Sequence, residues 1–205
     1  SEKWRRQLDE ENSTMPFYGY TTSPVVVGKH VIVATGGEGH GVTAFDRATG
    51  EPRWTSGDDS VSYQTPMLAE LGGRPQLITV TNQYLQGLDP SSGEMLWQLQ
   101  HSEGERNEEA AHPTLIDDER FLVKYSRGAR LYRLTEDGLE EVWRTTAFRN
   151  TYALPVLIDD HLYGFSGSVL TCVSAESGEV AWRSRELNGL GLSAVDGMLA
   201  VVSRD

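Results

Sequence analysis

Short apolar runs separated by polar turns recur along the chain, and none keeps a 3.6-residue period over three turns. Pro24-Val-Val-Val27 and Pro155-Val-Leu-Ile158 open two such stretches, each closed by a polar pair, Gly28-Lys29 and Asp159-Asp160. A second apolar run follows in every case, as in Val31–Ala34, Leu77–Val80, Phe121–Val123 and Leu162–Phe165. Runs of about five residues rich in Val, Ile and aromatics fit strands, so the pattern predicts an all-β chain.

The pattern also repeats. Tryptophans stand at 4, 54, 97, 143 and 182, and prolines before apolar runs at 24, 66, 113 and 155. From each of these prolines to its tryptophan the distance is 30, 31, 30 and 27 residues. Two independent markers on one period define repeat units at about 24–54, 66–97, 113–143 and 155–182. Partial units occupy about 1–4 and 192–205, so the whole chain, 1–205, is expected to form a single propeller region. Four strands in roughly 40–45 residues, repeated, are the signature of a β-propeller blade. The expected fold is therefore a β-propeller of four-stranded antiparallel blades. Four whole blades and two partial ones would be a stretch of a larger ring, and an incomplete ring would leave strand edges open to a second copy.

The end of each unit is its most distinctive part. Ala44-Phe-Asp-Arg-Ala-Thr-Gly-Glu-Pro-Arg-Trp54 aligns with Gly87-Leu-Asp-Pro-Ser-Ser-Gly-Glu-Met-Leu-Trp97 and with Cys172-Val-Ser-Ala-Glu-Ser-Gly-Glu-Val-Ala-Trp182. This reads as strand, turn, strand. Asp46 and Asp89 would accept turn amides, and Gly50, Gly93 and Gly178 would supply the positive φ that the turn needs. Each Trp would bury its ring and pair its indole N–H with nearby backbone. The third unit departs from the pattern: Thr135 stands where Asp would be and Gly138 lies five residues before Trp143, which predicts a different turn and a weaker seat for its ring. Ser174 replaces the Asp in the fourth.

The A-x-D-x-x-T-G-x-x-x-W pattern resembles the tryptophan-docking repeat of PQQ-like propellers. That family includes quinoprotein alcohol dehydrogenases and outer-membrane assembly lipoproteins of the BamB type. In it Trp4, Trp54, Trp97, Trp143 and Trp182 would be the structural docking residues. The repeat is a packing device, so the resemblance speaks to fold before activity.

Charge narrows the partners. Lys and Arg number 18 against 30 Asp and Glu, a net charge of −12, which disfavours nucleic acid and anionic membrane surfaces. No apolar run approaches the ~20 residues of a membrane-spanning helix. Cys172 is the one cysteine, so no intrachain disulfide or cysteine-rich zinc site can form. As the counterpart of Ala44 and Gly87, it is expected to be a small buried residue.

Candidate chemistry lies in the connections between units, which in a propeller cross one face towards the axis. These are Arg5–Ser23, Thr55–Thr65, Gln98–His112, Arg144–Leu154 and Arg183–Gly191. Tyr18, Tyr20, Tyr63, Gln64, Arg106, Asn107, His112, Arg149, Asn150 and Tyr152 are the candidates for binding a ligand or partner there. The same groups could instead satisfy loop backbone and keep adjacent blades in register. Gly36–Gly41 has the glycines of a phosphate loop, but a strand follows where a helix is required, so a hairpin loop is expected. His30 and His161 are repeat features expected at exposed turns, and no metal-ligand spacing or catalytic constellation is visible. The acidic runs Asp9–Glu11, Glu108-Glu109 and Asp117–Glu119 are expected to be solvated loops.

Two functions follow. The first is a non-catalytic scaffold presenting loops and strand edges to a protein or polysaccharide partner, with no cofactor. The second, implied by the resemblance, is a PQQ-dependent dehydrogenase, in which a quinone and calcium supply the chemistry. Many alcohol-oxidising members place adjacent cysteines against the quinone, which a chain with only Cys172 cannot do. The resemblance further implies a periplasmic or extracellular location.

Overall fold

Each proline-led apolar run becomes, or leads into, the first strand of an antiparallel meander. The structure is a computed structural model that describes residues 2–8, 19–60, 62–102, 112–187 and 189–203. The chain divides into two compact units, Ser1–Ala110 and Ala111–Asp205.

The first unit holds two four-stranded sheets. β1 (Val25–Val27), β2 (His30–Ala34), β3 (Val42–Asp46) and β4 (Pro52–Ser56) pair in chain order, as do β5 (Met67–Leu71), β6 (Arg74–Val80), β7 (Tyr84–Leu88) and β8 (Met95–Gln100). The second unit repeats the plan with β9 (Thr114–Leu115), β10 (Arg120–Tyr125), β11 (Gly128–Thr135) and β12 (Gly138–Thr145). β13 (Val156–Ile158), β14 (His161–Ser166), β15 (Val169–Ser174) and β16 (Val180–Ser184) form its second sheet, and β17 (Gly189–Val195) pairs with β18 (Met198–Ser203). Among the described residues there is no helix, and hence none long and apolar enough to cross a membrane.

The middle strands of each sheet carry the core, because both their faces are covered. Ile32, Val42 and Ala44 pack with Leu77 and Leu88 in the first unit. Leu122, Leu131, Phe148, Leu162 and Val173 do so in the second. All but Val42 and Leu122 are fully buried, and those two are 1% exposed. Burying one such side chain contributes about 1.5–3 kcal/mol. The fourth strand is the wet edge of each sheet, and in β4 Pro52, Arg53 and Thr55 are exposed.

A feature not visible in the sequence recurs where the fourth strand meets the third. Trp54 pairs with Ala44, Trp97 with Gly87, Trp143 with Leu131 and Trp182 with Cys172. In each four-stranded sheet the register shifts by one residue immediately beside that pair. The extra residue bends and twists the outer strand at its tryptophan. Cys172, 1% exposed, does fill the small-residue position opposite its ring, and burial pushes its thiol pKa up.

The turns behave as their chemistry demands. Asp46 Oδ1 accepts the Ala48 and Thr49 amides at 2.8 and 3.0 Å, and Oδ2 accepts Arg53 at 2.8 Å. The Arg53 side chain, followed by the two amides, holds the Asp46 carboxyl well below the usual carboxylate range. Asp89 is lowered the same way by the Ser91 hydroxyl and the Ser91 and Ser92 amides. Ser174 keeps this turn although it is not Asp: Ser177 N–H donates to its Oγ at 3.3 Å, and Gly178 N–H to its carbonyl at 2.9 Å. The third sheet has the different turn its sequence predicts, with Thr135 paired directly with Gly138 and donating to its carbonyl.

The tryptophan rings do not settle on the glycine of their own turn. The Trp4 ring lies 2.6 Å from where a Cβ on Gly50 would stand, Trp54 2.5 Å from that of Gly93, and Trp143 2.7 Å from that of Gly178. Each ring thus covers the glycine turn of the following repeat, at φ values of 73°, 76° and 72° that any other residue would resist. Trp4 donates its indole N–H to Arg47 C=O at 3.0 Å and Trp143 to Ala175 C=O at 3.1 Å, while that of Trp54 is buried without a partner. The irregular turn of the third unit therefore leaves its own tryptophan seated. Trp97 turns over the bare backbone of Gly87, 2.1 Å from its would-be Cβ, and donates to Gln76 Oε1 at 2.6 Å. Trp182 is 43% exposed beside Tyr163.

Candidate functional site

The connections leading into the sheets place the candidate residues in two groups, one per unit. In the first, Thr21 and Ser23 run beside Tyr63 and Thr65. Thr21 Oγ1 donates to Tyr63 C=O at 3.4 Å and Ser23 N–H to Thr65 Oγ1 at 2.9 Å. Both contacts span 42 residues, the spacing of Pro24 and Pro66, so successive connections lie in repeat register. Tyr20 and Tyr63 are half-buried there, and Gln64 is 3% exposed. The Tyr20 hydroxyl, the Thr22 hydroxyl and both amide atoms of Gln64 are buried without a hydrogen bond.

An aspartate that the sequence did not single out holds this connection. Asp59, 7% exposed, accepts Thr81 Oγ1 at 2.6 Å and Gln83 N–H at 2.7 Å on Oδ2, and Ser60 N–H at 2.7 Å on Oδ1. It ties the loop after β4 to the turn between β6 and β7. Ser62 Oγ adds a bond to Val80 C=O. Asp58 accepts Gly39 N–H at 2.8 Å, and Gly41 N–H donates to Gly57 C=O at 2.8 Å. The Gly36–Gly41 segment is thereby a braced hairpin loop between β2 and β3.

In the second unit the connection after β12 is held rigidly while its polar side chains face water. Ala147 and Phe148 are buried at 1% and 0% exposure. Phe148 N–H donates to Ser166 Oγ at 2.8 Å, Gly167 N–H to Arg149 C=O at 2.9 Å and Asn150 N–H to Ser126 C=O at 3.4 Å. Phe148 and Asn150 take φ of 64° and 55°, a backbone state held only where the surroundings fix it. From this frame Arg149 and Asn150 project exposed, and Tyr152 is 82% exposed. His112 is half-buried before β9, and burial pushes its pKa down.

Tyr18, Arg106 and Asn107 lie outside the described residues, as do the acidic runs Asp9–Glu11 and Glu108-Glu109. One further expectation needs correction, and another needs refining. His30 and His161 are half-buried as the first residues of β2 and β14, where strand pairing shields them. In the run Asp117–Glu119, Asp118 and Glu119 are exposed as expected, whereas Asp117 is tied into the turn. Its Oδ1 accepts the Glu119 and Arg120 amides at 3.0 and 2.7 Å, and its Oδ2 accepts Arg120 Nε at 2.7 Å. The described residues gather no group of three or more His, Cys, Asp or Glu able to hold a metal ion.

Several comparisons place this architecture. The structure resembles BamB from Moraxella catarrhalis at 16% identity and a TM-score of 0.52, covering 90% of this chain and 67% of that one. It resembles the computationally designed Ika8 protein at 9% identity and a TM-score of 0.59, covering 88% and 54%. Quinohemoprotein alcohol dehydrogenase from Comamonas testosteroni is similar at 13% identity and a TM-score of 0.59, covering 93% and 40%. The chain thus spans between 40% and 67% of the length of these structures. At such identities the likeness is one of fold, and the fold is that of β-propeller blades. No curated protein matches the sequence. A family profile described as outer membrane protein assembly factor BamB matches residues 1–184, and the chain belongs to that family of PQQ-repeat propellers.

Proposed function

We propose that the chain is a non-catalytic binding scaffold that presents its blade-entry loops to a protein partner in the cell envelope. The observation that carries this reading is the connection after β12. Tyr and Arg are the residue types that dominate protein-binding hot spots, and here they are exposed on a backbone already fixed in place. A preformed loop loses little conformational entropy on binding, so more of its contact energy appears as affinity. The family's description as an assembly factor for outer membrane proteins supports a protein partner and a periplasmic location.

The alternative reading is a quinoprotein, in which calcium beside a quinone would need several oxygen ligands including carboxylates. Cys172 is buried in β15 opposite Trp182, out of reach of any redox partner of its own kind. Melting of the purified chain with PQQ, with calcium and with both separates the two readings. The scaffold predicts an unchanged melting temperature in all three. A ligand at a hundred times its dissociation constant adds about 2.7 kcal/mol, so a saturable rise would overturn the scaffold reading.

A further inference from the structure

Strands β10–β12 and the turn between β10 and β11 bring several arginines together in a chain that is strongly acidic. Arg130 on β11 and Arg144 on β12 are direct cross-strand partners. Like charges placed opposite one another in a sheet repel unless something stands between them. Glu141 does so in part, accepting Arg144 Nε at 2.6 Å and standing 3.7 Å from Arg130. A third guanidinium, Arg127, comes from the turn between β10 and β11 and makes no hydrogen bond or ion pair among the described residues. All three arginines line one cavity of about 210 Å³, together with Tyr125, Thr145 and Thr146.

The cavity wall is built to hold its charge in place. The Arg130 guanidinium lies over the Tyr125 ring, 4.9 Å from its centroid, and the Tyr125 hydroxyl bonds to that of Tyr132 at 2.9 Å. Among the described residues, three guanidiniums on this lining face one carboxylate, two more positive charges than negative, in a chain of net charge −12. We infer that this cavity binds a single phosphate group, which takes the place of the missing counter-charge between Arg127, Arg130 and Arg144.

Size and geometry select the ligand. Pockets for drug-sized ligands run from about 300 Å³ upwards, so this one admits a single small group. One guanidinium fork satisfies the two oxygens of a carboxylate. Donors arriving from a turn and from two strands instead match oxygens that point in several directions, and a dianion matches the two spare charges. The hydroxyls of Thr145 and Thr146 are further donors on the lining. Free phosphate and a phosphomonoester on a lipid headgroup share this chemistry.

Calorimetric titration of the purified chain with inorganic phosphate at low ionic strength tests the site, with acetate as the comparison anion. Saturable 1:1 binding of phosphate, weaker binding of acetate and weakening with added salt are expected. Arg127→Ala should weaken phosphate about tenfold or more, because it removes hydrogen bonds to a charged group. Its melting temperature should not move, since Arg127 is exposed and holds no partner among the described residues. Arg133→Ala, which removes an ion pair to Glu140 on the same sheet, should leave phosphate binding unchanged. Sedimentation with phosphatidic acid vesicles, lost in Arg127→Ala, would assign the phosphate to a lipid, and binding of phosphate without vesicles would assign a soluble source. The inference is overturned if phosphate does not saturate, if acetate binds as tightly, or if Arg133→Ala weakens binding as much as Arg127→Ala.

Discussion

Trp97→Ala is expected to lower the unfolding free energy of the chain by about 3–5 kcal/mol. The ring is 6% exposed and lies across Gly87. Removing it opens a cavity on the backbone and strands a buried acceptor, because Gln76 Oε1 receives the Trp97 N–H. Gln76 is itself fully buried and donates to Leu71 C=O at 2.7 Å, so the indole is one link in a buried chain of bonds. Gln76→Leu alone should also destabilise, since it orphans the indole N–H and the Leu71 carbonyl. The two substitutions share that bond, so together they should cost less than the sum of the singles. Trp54→Ala should cost less than Trp97→Ala, because the Trp54 ring is only half-buried and its N–H has no partner to lose. Urea unfolding of the four variants measures all of this. A loss at Trp97 no larger than at Trp54 would contradict the packing described.

Asp59→Ala should destabilise by a similar amount, about 3–5 kcal/mol. Hydrogen bonds to a buried charge are each worth roughly 1.5–3 kcal/mol, and the variant leaves the Gln83 amide without its acceptor and Thr81 Oγ1 with the Tyr84 carbonyl alone. Asp59→Asn retains one carbonyl oxygen and should lose less. The consequence for the site is a connection that no longer sits against the β6–β7 turn. Amides of residues 57–60 and of Gln83 should therefore exchange with solvent faster in Asp59→Ala than in the parent chain. Unchanged melting and unchanged exchange would show that the carboxylate does not hold the loop.

Much of this fold is legible in the chain because its markers are local. A turn made by Asp46, Thr49 and Gly50 needs only its own residues, and the sequence displays them. Ser174 shows why a changed letter need not change the turn: its Oγ accepts one of the two amides that Asp46 accepts, and its carbonyl takes the glycine N–H as that of Asp46 does. What stayed hidden depends on register and on neighbouring repeats. No spacing rule shows that Trp54 covers Gly93 and not Gly50, because the contact joins two repeats. The shift beside each tryptophan pair appears only once strands are aligned. Arg130 and Arg144 are fourteen positions apart, and only the hairpin brings them face to face.

The site was legible in part for the same reason. Counting from the prolines finds the connections, and Arg149, Asn150 and Tyr152 are exposed there. It cannot separate a displayed side chain from a swallowed one. Gln64 sits two residues before its proline, as Thr22 and Ala153 do, yet it is 3% exposed. Asp59 could have been noticed as the acid in a Gly-Asp-Asp-Ser stretch suited to capping backbone amides. Nothing in that stretch reveals that its second oxygen reaches Thr81 and Gln83 more than twenty residues away.

Site-specific photo-cross-linking in the cell envelope tests the scaffold most directly. A photoreactive residue is placed at Arg149 or Tyr152, and at Ser177 as an exposed control in the turn between β15 and β16. The account predicts one discrete protein adduct from positions 149 and 152 and none from 177. No adduct from any position, or the same adduct from all three, would contradict it.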